Sequence, residues 1–384
     1  MIPFNKPYLT GKEAHYLYQA VYSGKLSGNG QYTKACQKFF EDQYGFEKSL
    51  LTTSCTDALE MAALLLRIES GDEVIVPSYT FVSTAVAFVR QGARIRFCDS
   101  RPDHPGMDES QIESLITPRT KAIVVVHYAG VACDMDPILA LARKHNLAVV
   151  EDAAQAVDAF YKGRPLGGLG NLGCFSFHET KNVISGEGGL LAINRREYSE
   201  RAEILWEKGT NRASFFRGEV NKYGWVDIGS SFLPAETVSA FLFAQLENLR
   251  SIQARRSEIW NRYQERLAPL EAKGLFRCPH IPSFASNNAH MFYLILPDLA
   301  TRSALIEHLK ANGVLAVFHY LSLHSSPFYA DKHDGRELPW SDLYSDRLVR
   351  LPLFFELADH QVDFICDQIG AFFGPQSLLH GTRV

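Results

Sequence analysis

Lys181 stands between an apolar run and a glycine-rich turn in "FSFHETKNVISGEGG" (175–189). A lysine in that setting is either a solvated loop charge or an active-site amine, because lysine forms Schiff bases with carbonyl compounds once burial or neighbours lower its pKa. In "AVVEDAAQA" (148–156), Asp152 ends a second apolar run. It is either the cap of a following helix or a functional carboxylate at the open edge of a sheet. Gln155, three residues on, would share its face in a first helical turn. In "TTSCTDALEMAALLL" (52–66), Ser54, Cys55, Thr56 and Asp57 come just before a strong helical pattern. Such a start suits a phosphate group or an ordinary cap equally well. "PSYTFVSTA" (77–85) adds Tyr79 and Phe81, aromatics that either join the core or offer a flat face.

The combination is more specific than its parts. Pyridoxal phosphate needs a helix N-terminus for its phosphate, a flat apolar surface for its ring and a carboxylate to keep its ring nitrogen protonated. Its aldehyde needs a lysine. Here a lysine follows a strand 29 residues after a strand-end aspartate.

The elements that must position these groups alternate in type. "EVIVPSY" (73–79), "ARIRFCD" (93–99), "AIVVVHY" (122–128) and "LAVVEDA" (147–153) are short and β-branched, as strands buried on both faces should be. Helical spacing fills 56–68 and 135–146 between them. That rhythm predicts an α/β domain with ligands at the carboxyl ends of the strands. "GCFSFH" and "GGLLAIN" read as two more strands joined by the turn that carries Lys181, and 201–230 reads as an ordered loop. From Pro234 a long helical stretch leads toward strands at 291–296 and 314–319. The expected division is a large domain over 1–245 and a smaller one over 246–384.

Bulk properties exclude several classes. Thirty-nine basic against 43 acidic residues leave a net charge of -4, too mild for a nucleic-acid or anionic-membrane partner. No apolar run reaches the ~18 residues of a membrane span, and the N-terminus reads as lacking a signal peptide. Seven scattered cysteines offer no metal-ligand spacing, so no metal is expected and the compartment should be reducing, the cytoplasm.

"GDEVIVPSYTFVSTA", "VEDAAQA", "FSFHETKN" with "GEGG", and "FHYLSLH" (318–324) resemble the motifs of the sugar-nucleotide aminotransferases of the DegT/StrS type. The likeness runs in order from "IPFNKP" to "RLVRLPLF" (347–354). It implies the fold type I architecture of pyridoxal phosphate enzymes (aspartate aminotransferase-like): a large α/β domain with a mostly parallel central sheet, plus a smaller C-terminal α+β domain. "SFHETKN", "HYAGVACDMD" and the "KGTNRASFFRG" loop (208–218) are most similar to the dTDP-4-amino-4,6-dideoxygalactose transaminases, which serve surface polysaccharides such as enterobacterial common antigen. By that resemblance Lys181 is the Schiff-base lysine and proton carrier, and Asp152 the partner of the ring nitrogen. Gln155 contacts the ring or its hydroxyl, Phe81 stacks on the ring, and Cys55, Thr56 and Ser176 hold the phosphate.

The resemblance also implies L-glutamate and a nucleotide-linked keto sugar as substrates in a ping-pong cycle, and a homodimer with shared active sites. Most members carry Asn-x-Arg before the long helix, with the asparagine reaching the other subunit's phosphate. This chain reads "DIGSSFLPAE", which puts Ser231 and Leu233 there. Lys208, Arg212 and Arg217 are candidates for diphosphate or carboxylate binding, or solvated loop charges. His319, Tyr320 and His324 are candidates for the sugar pocket, or satisfied structural residues at a strand end, while His127 and His178 read as structural. Relatives that remove the sugar 3-hydroxyl carry histidine in place of the lysine, so Lys181 argues against that chemistry. The full set of Asp152, Gln155, Ser176 and Lys181 argues against a non-catalytic relative.

Overall fold

The computed structural model describes residues 1–374. Its main sheet is built from β1 (Lys48–Thr52), β2 (Glu73–Pro77), β3 (Arg94–Cys98), β4 (Thr120–Val126) and β5 (Ala148–Asp152). A small hairpin follows, β6 (Phe160–Tyr161) with β7 (Arg164–Pro165), and then β8 (Leu172–Ser176) and β9 (Gly189–Ile193). The seven-stranded order is β1-β9-β8-β5-β4-β2-β3. The run from β8 to β3 is parallel, whereas β9 pairs antiparallel with both β8 and β1. Alternate residues enter two separate cores: Ile123, Val125 and Val149 on one face, Val74, Val124 and Val150 on the other. Burial on both faces is why these strands read as continuous apolar runs.

The topology brings the chemistry to one edge. β5 and β8 are adjacent and parallel, with Asp152 opposite Cys174, so Asp152 and Ser176 both come to the carboxyl edge, Ser176 two residues farther out. The chain then turns through Lys181 and returns as β9, where Gly189 faces Ser176. A Cβ on Gly189 would lie 2.5 Å from the Cys55 nitrogen, so only glycine lets β9 begin against the start of helix Cys55–Leu65.

The second sheet is antiparallel, β10 (Phe292–Ile295), β12 (Leu348–Leu351) and β11 (Val317–Phe318), with β12 in the middle. One of its faces packs on helices Leu249–Glu271, Leu299–Ala311 and Asp359–Phe372. The other meets Tyr79 and Tyr128 from the ends of β2 and β4.

Three features differ from the sequence expectation. The stretch 201–230 includes the end of helix Ser199–Trp206 and all of the short helix Arg212–Phe216, and the first buries Ala202, Leu205 and Trp206. The stretch after Pro234 is two helices, Glu236–Glu247 and Leu249–Glu271, divided at Asn248. The first residues pack with the C-terminal core, since Ile2 bridges Val314. Among the described residues no helix is long and apolar enough to cross a membrane, and no cluster of His, Cys, Asp or Glu could hold a metal.

Glu236 ties the N-terminal helices to this frame. Its buried carboxylate accepts from the backbone N–H of Gly30, Tyr32 and Thr33 and from the Thr33 hydroxyl, and so caps helix Gln31–Tyr44 from 200 residues away in sequence. Glu236→Ala is expected to cost about 2–3 kcal/mol, read as a lower denaturant midpoint at unchanged m-value.

Candidate active site

A cavity of about 810 Å3 lies at the carboxyl edge of the large sheet and is walled on its far side by the second sheet. Its floor holds Lys181, only partly buried, whose ammonium has no hydrogen-bond partner among the described residues. Burial lowers its pKa from the usual 10.5, and the Arg350 charge lowers it further, against the pull of Cys55 and Asp152. The amine form is therefore populated at lower pH than in free lysine. The rate at which apoprotein captures pyridoxal phosphate should rise with pH, with a midpoint below 10.5; a midpoint at or above it in stopped-flow absorbance would contradict this environment.

Asp152 is 6 % exposed and accepts from the Thr84 hydroxyl at 2.6 Å and the Ala154 N–H at 3.1 Å. Burial holds its pKa above the ordinary carboxylate value, with Thr84, Ala154 and Lys181 opposing. Behind it on the same strand, the fully buried Glu151 accepts from His127 and from the N–H groups of Gly167, Leu169 and Gly170. That anchor fixes where the end of β5 can lie.

At the phosphate-sized end, Ser54 adopts an extended backbone and its hydroxyl accepts from the Asp57 N–H at 3.1 Å, an N-cap by geometry. The Thr56 and Ser83 hydroxyls meet at 2.8 Å on the wall. Cys55 and Ser176 line the same end. Phe81 is 54 % exposed although it lines a cavity, so it leaves a ring face uncovered. Gln155 is held from both sides: its oxygen accepts from Ala129 N–H at 2.6 Å, and its amide donates to the Tyr320 hydroxyl at 3.1 Å. The His319 and Tyr320 rings lie tilted with centroids 3.5 Å apart, and His319 shares a 2.7 Å bond with the Tyr128 hydroxyl. Burial pushes the His319 pKa well below 6.5, so its ring is neutral.

Other residues singled out in the sequence lie elsewhere. Arg217 is paired with Glu203 and Glu219, Arg212 lies over the Phe216 ring, and neither lines the cavity; nor does Lys208. Ser231 is exposed, bridges Glu207 and is also outside it. His324 bonds Ser78 behind the wall, and His127 is buried beneath the sheet. His178 does line the cavity, with Nδ1 held by Thr180.

The sequence reading missed His290 and Arg350, which come from the second sheet and its approach. Asn182, the neighbour of Lys181, donates both amide protons, to Gln253 and to the Asn288 carbonyl, each at 2.8 Å. Its oxygen must then accept from His290 Nδ1 at 2.8 Å, leaving Nε2 a bare acceptor. In turn Asn288 donates to the carbonyls of Gln155 and Val157. The available signal was a polar residue inside an apolar strand pattern, "AHMFYLIL" and "LVRLPLF".

These groups fit pyridoxal phosphate. An unpartnered amine, a buried carboxylate, an uncovered aromatic face and a hydroxyl-lined helix start share one cavity, and each answers one part of that molecule. Residues 7–370 match the DegT/DnrJ/EryC1/StrS aminotransferase family. The chain is 32% identical over 377 residues to the spore coat polysaccharide biosynthesis protein SpsC of Bacillus subtilis, covering 96% of each. The aminotransferase TlmJ from Streptoalloteichus hindustanus superimposes with a TM-score of 0.90 at 29% identity, over 98% of this chain and 100% of that one. Spr1654 of Streptococcus pneumoniae, in its PLP-form, does so with a TM-score of 0.88 at 25% identity, over 97% and 98%.

Proposed function

Because this chain belongs to the DegT/DnrJ/EryC1/StrS aminotransferase family, we propose that it moves the amino group of L-glutamate to C4 of dTDP-4-keto-6-deoxy-D-glucose. The products would be dTDP-4-amino-4,6-dideoxy-D-galactose, for a cell-surface polysaccharide, and 2-oxoglutarate. Membership carries the coarser statement: the chain is a pyridoxal-phosphate-dependent sugar aminotransferase. The finer reading rests on the likeness of "SFHETKN", "HYAGVACDMD" and "KGTNRASFFRG" to the dideoxygalactose transaminases, and the meeting of Lys181, Asp152 and the Ser54–Thr56 helix start in one cavity supports the transamination chemistry it needs.

Pyridoxal phosphate supplies a carbonyl for amine exchange and a ring that withdraws the electron pair left at the donor Cα. Lys181 would anchor that carbonyl carbon and, when the donor's amine displaces it, carry the Cα proton on Nζ. Its lowered pKa suits both tasks, since only the neutral amine attacks or accepts a proton. Asp152 would favour a protonated ring nitrogen, and its bonds to Thr84 and Ala154 hold the carboxylate still. Cys55, Thr56 and Ser176 would seat the phosphate, Phe81 and Gln155 the ring.

Ser231 lies outside its own cavity, on a segment that exposes Phe216, Tyr223, Trp225, Val226 and Ile228. A second copy would cover this apolar surface and bring Ser231 to the other site, giving a homodimer. Seven unpaired cysteines suit the cytoplasm. The deciding experiment is incubation of the holoenzyme with glutamate and dTDP-4-keto-6-deoxyglucose, followed by NMR of the amino sugar. An axial 4-amino group supports the reading; a 3-amino or equatorial 4-amino product rejects it.

A further inference from the structure

Three of the four polar atoms of His290 are bound. Its backbone N–H donates to Asn288 Oδ1 at 3.1 Å, its carbonyl accepts from Arg256 Nη2 at 2.6 Å, and its Nδ1 donates to Asn182 Oδ1 at 2.8 Å. The donor count at Asn182 dictates that last direction, since both of its amide protons go to Gln253 and Asn288. The fourth atom, Nε2, has no partner among the described residues, although the residue is only 7 % exposed. The Nε2 atoms of His104 and His145 are also unpartnered but sealed in protein, whereas His290 lines the cavity. Burial holds the His290 pKa well below 6.5, and the charges of Lys181, Arg256 and Arg350 lower it further. No described carboxylate pairs with it, and the neighbouring His319 is neutral as well. Nε2 is therefore a fixed lone pair that accepts hydrogen bonds and takes no proton.

When Lys181 takes the donor's Cα proton, its Nζ becomes an ammonium whose N–H groups need acceptors. The other acceptors on the wall are committed: Asp152 to Thr84, Ala154 and the ring nitrogen, His178 Nδ1 to Thr180, His319 Nδ1 to Tyr128. Burial keeps Cys55 a thiol, its pKa well above 9. Asn182 follows Lys181 in the chain, so the ring it holds is set one residue from the lysine, and both side chains line the same cavity. No hydrogen bond joins Nζ to Nε2 in this structure, but the lysine's flexible four-carbon stem carries an amine that nothing else holds. We propose that His290 is a positioning residue for Lys181: its Nε2 accepts a hydrogen bond from Nζ while that amine carries the Cα proton, and Asn182 keeps its ring in the tautomer that can do so. This rests on the aminotransferase reading. A hydrogen bond to the charged form stabilises the ammonium without removing its proton, which stays available for return.

The test crosses two variants. His290→Asn keeps an amide donor at the δ position for Asn182 and deletes the ε acceptor; His290→Gln keeps an ε acceptor and deletes the δ donor. His290→Asn should melt within about 2 °C of wild type, whereas His290→Gln, which orphans the Asn182 oxygen, should melt lower. In apoprotein, the pH midpoint for capture of pyridoxal phosphate should fall by about one pH unit in His290→Asn, because the ammonium loses an acceptor. In His290→Gln it should stay near the wild-type value. In cofactor-loaded protein, the glutamate half-reaction followed by absorbance should slow about 10–100-fold at saturation in His290→Asn, with the glutamate Kd within about 3-fold. Easier capture together with slower chemistry is a pairing that a folding defect does not give. A wild-type midpoint and rate in His290→Asn, a raised midpoint, or losses confined to His290→Gln would each overturn the proposal and leave the residue purely structural. If wild type leaves glutamate and other L-amino acids unreacted, the aminotransferase reading falls instead. The capture midpoints then still decide whether Nε2 meets the Lys181 ammonium.

Discussion

Lys181→Ala is expected to lower turnover by about 10⁴-fold or more, while the folded protein survives. The loss would be large because, on the proposed reading, one amine serves twice, as the anchor of the carbonyl carbon and as the carrier of the Cα proton, and neither task passes to a neighbour. The fold survives because the Lys181 ammonium makes no hydrogen bond among the described residues, so alanine removes a partly buried, unpaired charge and orphans nothing. The melting temperature should therefore change little or rise. Arginine is no substitute: its guanidinium keeps its proton at any working pH. Borohydride treatment of the wild-type holoprotein should fix colour to the peptide containing Lys181 and leave the alanine variant unlabelled. Full turnover by the variant would refute the role.

The second large effect is on stability. Glu151→Ala should cost about 3–5 kcal/mol, measured by chemical denaturation, because it strips a fully buried carboxylate from four donors at once. One oxygen accepts from His127 Nε2 at 2.9 Å and Gly167 N–H at 2.8 Å. The other takes the N–H groups of Leu169 at 2.7 Å and Gly170 at 2.6 Å. Glutamine is no rescue, since whichever oxygen becomes an amide nitrogen then faces two donors. Activity per folded molecule should fall as well, because the adjacent Asp152 takes its position from the same strand end. A loss below about 1 kcal/mol would show that the loop 167–170 finds other acceptors.

Much of this was legible in order along the chain. The four β-branched runs predicted β2 to β5 because burial on both faces leaves no polar alternation to confuse the period. Asp152 and the Ser54–Thr56 start were readable because each sits at a strand or helix end, and Lys181 because it sits in the glycine-rich turn between β8 and β9, where the local sequence carries the geometry. β1, "KSLLT", was missed: a five-residue edge strand with lysine, serine and threonine carries almost no periodic signal. Helix Ser199–Trp206 was read as loop because its apolar contacts, Ala202, Leu205 and Trp206, cover barely two turns. Arg212 and Arg217 drew attention as basic residues on a polar loop, but only the folded chain shows Glu203 and Glu219 answering Arg217. For His290 and Arg350 the sequence offered only a polar residue inside an apolar strand pattern, with nothing to place it in the site. They meet Lys181 only because the second sheet folds over the first, and no local pattern records that.

The amide of Asn182 has a mechanical consequence. It joins the lysine turn to helix Leu249–Glu271 and to the segment before β10, while Asn288 on that segment grips the carbonyls of Gln155 and Val157. Farther along the same seam, the Ser286 and Lys162 N–H groups cross to the Phe160 and Phe284 carbonyls. Swinging the two sheets apart like jaws would break several of these bonds together. The seam behaves as a weld, not a hinge. Traffic of two chemically different substrates through one chamber must then use the rim, where Phe81, Phe318 and Leu321 stand exposed, leaving the spacing between the lysine and the opposite wall the same for both.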